Sequence, residues 1–149
     1  MLNSDFKDIL SNFLAAKVKF LVVGAYALAA HGIPRATGDI DLWIRPDAEN
    51  AKRVHMALAA FGAPMKDVGV STFTEPEIVF QIGVEPNRID ILTTIDGISF
   101  DDAMSDRIEV HIEGLAIPVL SRRALICNKR ASDRAKDRID LELLDKRRG

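Results

Sequence analysis

Asp39 and Asp41 stand two residues apart in Asp39-Ile-Asp-Leu-Trp-Ile44, a run whose polar/apolar alternation is that of a strand with one wet face. Successive side chains of a strand point to opposite faces, so the two carboxylates project together while Ile40, Leu42 and Ile44 enter a core. Adjacent carboxylates repel each other, which raises a pKa or calls for a cation. Hard oxygen ligands at this spacing suit Mg²⁺, with Mn²⁺ as a substitute. Arg88-Ile-Asp-Ile-Leu92 repeats the pattern on a second strand and offers a third carboxylate, Asp90. Three carboxylates can hold two metal ions, which clamp the attacking and leaving oxygens of an in-line phosphoryl displacement. The plain alternative for an Asp-x-Asp taken alone is an edge strand whose aspartates simply face water.

The elements that must position these residues can be read around them. Gly24-Ala25 lies between an apolar strand, Phe20–Val23, and a small-residue helix, Ala25–His31, where a residue without Cβ lets a phosphate approach free N–H groups. The loop before Asp39 supplies His31, Arg35 and Thr37; Arg35 can fork onto phosphate oxygens, Thr37 can donate a hydroxyl, and His31 reads equally as a helix cap. Helical spacing predicts a first helix over Asp5–Lys17, capped by Ser4 or Asp5, and a later one capped by Asp47 and running through Phe61. Further strands are expected at Glu77–Ile82, Arg88–Thr93, Arg107–Ile112 and Leu115–Leu120, and two closing helices at Ser121–Ala131 and Arg134–Arg147. Trp43 shares the parity of the two aspartates, so it could lie at the mouth of the site against a base, while core packing is the favoured role for a residue of this size.

The chain has 149 residues, 48% hydrophobic and 28% charged, which fits one domain over 1–149 and excludes a disordered chain. The longest uncharged apolar stretch, Phe20–Ala30, is too short to span a membrane, which takes about 20 residues. The N-terminus lacks the pattern of a secretory signal, and the single Cys127 has no partner for an internal disulfide, so a reducing cytoplasm is the expected compartment. Charge is uneven. Residues 1–121 carry 10 Lys/Arg against 17 Asp/Glu, whereas residues 122–149 carry 10 against 5. That basic end suits a polyanionic partner such as RNA, or else a solvated helix pair whose charges compensate one another. Within it, Arg130/Arg134 and Arg134/Arg138 would be like-charge neighbours on a continuous helix.

The run Val22-Val-Gly-Ala-Tyr-Ala-Leu-Ala-Ala-His-Gly-Ile-Pro-Arg-Ala-Thr-Gly-Asp-Ile-Asp-Leu42, followed by Arg88-Ile-Asp-Ile-Leu92, resembles the nucleotidyltransferase superfamily of the DNA polymerase β type. The His-Gly-x-x-Arg-x-Thr segment looks like the small bacterial branch grouped with AbiEii-like toxins. Asn128-Lys-Arg-Ala-Ser-Asp-Arg-Ala-Lys-Asp-Arg-Ile-Asp140 resembles the paired C-terminal helices of that branch. The resemblance implies an α+β fold with a mixed, mainly antiparallel sheet, carboxylates on one face and helices on the other, the C-terminal helices covering 121–147. It also implies transfer of an NMP group from an NTP to a hydroxyl of RNA, protein or a small molecule. Two Mg²⁺ ions would lie at Asp39, Asp41 and Asp90, with Asp90 helping to deprotonate the acceptor. Gly24, Ala25, Arg35, Thr37 and Lys129 would hold the triphosphate, and Asp137 or Asp140 would orient Lys129. Ala25 departs from the Ser or Gly of many members, which removes a hydroxyl contact but keeps the backbone donors. The alternatives are an antibiotic nucleotidyltransferase of lincosamide or aminoglycoside type and a non-catalytic, antitoxin-like module that binds a partner protein.

Overall fold

A computed structural model describes residues 2–35 and 38–146. Helix α1 (Ser4–Ala15) starts one residue earlier than the sequence suggests, because the Asn3 side chain accepts from the backbone N–H groups of Asp5 and Phe6. Its apolar stripe, Phe6, Ile9, Leu10 and Phe13, is fully buried. Strand β1 (Phe20–Val23) is buried along its whole length and runs directly into α2 (Gly24–Ala30). Then come β2 (Ile40–Ile44), α3 (Ala48–Phe61), a 3-10 turn at Val70–Thr74, β3 (Val79–Ile82) and β4 (Ile89–Leu92). The chain closes with α4 (Phe100–Ser105), β5 (Ile108–Ile112), β6 (Leu115–Val119), α5 (Arg122–Ser132) and α6 (Ala135–Lys146).

The strands form one six-stranded sheet in the order β3-β4-β2-β1-β6-β5. Pairs β3/β4, β2/β1 and β6/β5 are antiparallel, and β4/β2 and β1/β6 are parallel, so the sheet is mixed with antiparallel pairs in the majority. The register sets Phe20 opposite Ile44 and Val22 opposite Leu42, and Phe20 meets Phe13 of α1 edge-on at 5.2 Å. That face carries the main helical layer. The other parity, Val23, Asp41 and Trp43 with Asp90 and Leu92 of β4, faces the opposite way.

Trp43 is a core residue, as its size favoured. Its indole packs edge-on against Phe100 of α4 at 5.0 Å and donates to the Thr93 carbonyl at 3.3 Å. Helix α4 itself is absent from the sequence reading. Six residues with two buried apolar side chains, Phe100 and Ala103, are too few to display a helical period, and its cap, Ser99 accepting from Asp102 N–H, becomes visible only in the fold. At the C-terminal end, Asp133 adopts a left-handed conformation (φ 45°) that closes α5, so Arg130 and Arg134 are not like-charge neighbours on one helix. Arg134 pairs with Asp137 and Arg138 with Asp133 instead. Among the described residues no helix is long and apolar enough to cross a membrane.

Candidate active site

Strands β2 and β4 run parallel with Asp41 opposite Asp90, so the two carboxylates lie side by side where the sheet meets the helices. Asp90 is buried, and Asp41 is mostly buried beside it. Burial, followed by the charge and hydrogen bond of Asp90 and the charge of Asp39, pushes the Asp41 carboxyl up to about 6, with Arg88 opposing the shift. Asp39 precedes β2 and accepts the Arg88 backbone N–H at 2.9 Å. The three aspartates lie together, with Asp39 linked to Asp90 through Arg88.

Arg88 belongs to this cluster and had no assigned role in the sequence. Its Nε and Nη2 donate to the two oxygens of Asp90 at 2.8 and 3.1 Å, Nη2 lies 3.4 Å from Asp39 Oδ2, and Nη1 donates to Glu85 at 3.0 Å. The guanidinium therefore ties Asp39 to Asp90, and in this arrangement no three acidic, His or Cys side chains among the described residues converge as a metal-holding group. Strand parity was the available signal: Arg88 is two residues from Asp90 and so faces the same way.

Gly24 has φ +68°, and a Cβ built there would sit 2.2 Å from Asp41 Oδ2. Its small size is needed first by the protein's own carboxylate, and only then by any phosphate. Replacing Gly24 with Ala is expected to destabilise the fold by about 1–3 kcal/mol through strain and displacement of Asp41. Thermal unfolding checks the stability, and a crystal structure of the variant checks whether Asp41 has moved.

A cavity of about 590 Å³ opens over these groups. Gly24, Ala25, Asp39, Asp41, Arg88 and Asp90 form one side, and Arg35, Lys129, Arg134, Lys136 and Asp140 the other. Lys129 projects from α5 and is buried, 3.3 Å from Asp137 and 3.2 Å from Asp140 of α6. Burial lowers its pKa, while Asp137 works in the other direction. Asp137 is fully buried, and burial alone would raise its pKa, yet hydrogen bonds from the Arg134 side chain and backbone hold the carboxyl far below the usual range. Arg35 forms an ion pair with Asp140. Arg35 and Lys129 are thus brought to one wall by a shared carboxylate, and both Asp137 and Asp140 position Lys129. His31 caps α2 and its Nε2 is 2.8 Å from the Leu120 carbonyl. Thr37 lies outside the described residues.

A second cavity of about 430 Å³ adjoins the first and shares Gly24, Asp41, Lys129 and Arg134 with it. Its wall is the loop after β4, held against α5: Asn128 donates to the Asp96 carbonyl at 3.0 Å, and Gly97 approaches so closely that a Cβ would lie 2.5 Å from the Cys127 carbonyl oxygen. Part of the basic C-terminal region is paired with acids of the chain. Arg123 pairs with Asp106, Arg134 with Asp137 and Arg138 with Asp133, and Arg122 donates to the Leu144 carbonyl.

Residues 3–147 match the model of a family described as "Nucleotidyl transferase of unknown function (DUF2204)". No curated protein matches the sequence. Among solved structures, the chain is similar to a Thermotoga maritima protein assigned as a nucleotidyltransferase, with a TM-score of 0.62 at 19% identity over 98% of this chain and 94% of that one. It is similar to ANT(2″)-Ia in complex with adenylyl-2″-tobramycin, with a TM-score of 0.62 at 17% identity over 97% and 87% of the two chains. It is also similar to the lincosamide antibiotic adenylyltransferase LnuA bound to lincomycin, with a TM-score of 0.56 at 17% identity over 97% of each chain. At these identities the likeness is one of fold.

Proposed function

The chain belongs to this nucleotidyl transferase family, and on that premise we propose that it moves an NMP group from an NTP to a hydroxyl acceptor, with Asp39, Asp41 and Asp90 holding two divalent cations. The observation that carries the reading is the in-register pair Asp41 and Asp90 with Asp39 beside them, facing a cavity whose far wall is cationic. The donor chemistry suits Mg²⁺ or Mn²⁺ once Arg88 releases Asp39 and Asp90, since with Arg88 in place no three acidic, His or Cys side chains among the described residues converge. The donor set is all oxygen, it is crowded enough to raise one carboxyl to about 6, and Gly24 is kept bare to admit it. When bound, the metal supplies positive charge at the reacting phosphate and acidifies the acceptor hydroxyl.

The residues of the chain do the rest by position and charge. Arg35, Lys129 and Arg134 face the triphosphate and neutralise the charge that builds on the β- and γ-phosphates. The backbone N–H groups of Gly24 and Ala25 serve the same end without a side-chain hydroxyl, and Thr37 stays a candidate donor. The acceptor oxygen attacks the α-phosphorus, the bond from that phosphorus to the bridging oxygen breaks, and pyrophosphate leaves with the electron pair. The acceptor proton passes to Asp90.

A small hydroxyl compound is the acceptor favoured here. The adjoining cavity of about 430 Å³ is of ligand size, and Arg123 and Arg138, which line neither cavity, are paired with Asp106 and Asp133. Two of the similar structures hold antibiotic-derived ligands. Incubation with each α-labelled NTP and Mg²⁺, together with aminoglycosides, lincosamides, total RNA and total protein, tests both parts. Label on a small compound with release of pyrophosphate is expected. Label confined to RNA or protein would make the acceptor a macromolecule, and no pyrophosphate release with any NTP and acceptor would remove the transferase reading.

A further inference from the structure

We propose that Arg88 is a resident counter-ion of the carboxylate cluster, displaced when a divalent cation binds, and that this makes cation binding depend on nucleotide. The inference rests on the assignment of Asp39, Asp41 and Asp90 as the cation site.

The guanidinium makes a two-pronged contact with Asp90 and reaches Asp39 just before β2, so its single positive charge is shared by two of the three carboxylates proposed to take the metal. Paired and planar, it supplies the donors that those oxygens require in a partly buried setting, where an unpaired carboxylate is costly. An entering cation must therefore break two charge-assisted hydrogen bonds to Asp90 before Asp90 can serve as a ligand. The competition lowers affinity for a bare cation.

Glu85 gives the displaced side chain somewhere to go. It holds Nη1 at 3.0 Å from the solvent side and is itself largely exposed, so Arg88 can let go of Asp90 while staying tethered at the cavity rim. A triphosphate in the cavity offers a second anchor for the same fork. Cation and nucleotide then favour each other: the cation frees Arg88, and the phosphates accept it. Reciprocity follows from linkage, since each ligand must strengthen the other by the same factor.

The test measures binding of Mn²⁺ to the full chain, by the loss of the free-ion EPR signal, with and without a non-hydrolysable NTP, the loss that the same NTP causes without protein being subtracted. Arg88→Gln is expected to bind Mn²⁺ about tenfold more tightly than the parent without nucleotide, and to lose most of the enhancement that nucleotide gives the parent. Arg88→Lys keeps the charge but not the fork, so it is expected to fall between the two and serves if the Gln variant does not fold. Equal or weaker Mn²⁺ binding by folded variants would overturn the counter-ion role while leaving the cation site standing. Absence of Mn²⁺ binding to the parent and every variant, with nucleotide present, would overturn the site assignment and this proposal with it.

Discussion

Asp41→Asn is expected to abolish transfer while making the metal-free protein more stable. Asn keeps the shape of the side chain and its place opposite Asp90, but it removes a negative charge from a crowded, mostly buried group. Loss of one preorganised ligand charge should reduce kcat/KM by about 10³-fold or more. The stability change has the opposite sign. The Asp41 pKa of about 6 lies above its usual value of 3.8, so the folded state binds the proton more tightly than the unfolded chain. Its contribution to stability is complete below about pH 4 and is lost as pH rises through about 6, a change on the order of 3 kcal/mol. In EDTA, therefore, the parent should lose Tm between pH 4 and 7, and Asp41→Asn should lose less. A variant that is inactive and also less stable at pH 7 would show that Asp41 is held by favourable contacts and is not a strained ligand awaiting a cation.

Lys129→Met has the largest expected effect on the fold. Lys129 is buried between Asp137 and Asp140, themselves fully or almost fully buried, and Met fills a similar volume without the charge. Removing one partner from a buried ion cluster costs about 3–5 kcal/mol, because the carboxylates left behind remain desolvated. Arg134 still serves Asp137 and Arg35 still serves Asp140, which places the expected loss toward the lower end. Urea unfolding measures it. Adding Asp140→Asn to Lys129→Met should recover part of the loss, since a neutral side chain no longer needs the ammonium. A loss below about 0.5 kcal/mol would mean that Lys129 stands free toward the cavity. Lys129→Arg should restore stability only in part, because a planar fork does not fit a site built around a point charge.

The face expected to be wet is largely buried, Trp43 against Phe100 and Asp90 under Arg88. The Asp39/Asp41 spacing and the third carboxylate at Asp90 were nonetheless readable in the sequence, because alternation along a strand is a local property that survives any arrangement of neighbours. The same holds for the stripe of α1 and for the Asp47 cap of α3, each written within a turn or two of chain. Tertiary structure alone decided what touches what. Asp41 meets Asp90 through a register between strands some fifty residues apart, and Asp41 Oδ2 lies too close to Gly24 to leave room for a Cβ. Arg35 and Lys129 share Asp140 although about a hundred residues separate Arg35 from that partner. The pairing of Arg134 and Arg138 with acids depended on the break at Asp133, which takes Arg130 and Arg134 off one helix. Arg88 shows the boundary most sharply: parity put it on the right face, but its grip on Asp39 and Asp90 depends on the separation of side chains from different strands. Hydrophobic patterning fixes which way a residue points, while electrostatic partnership depends on distances that only packing of the whole chain sets.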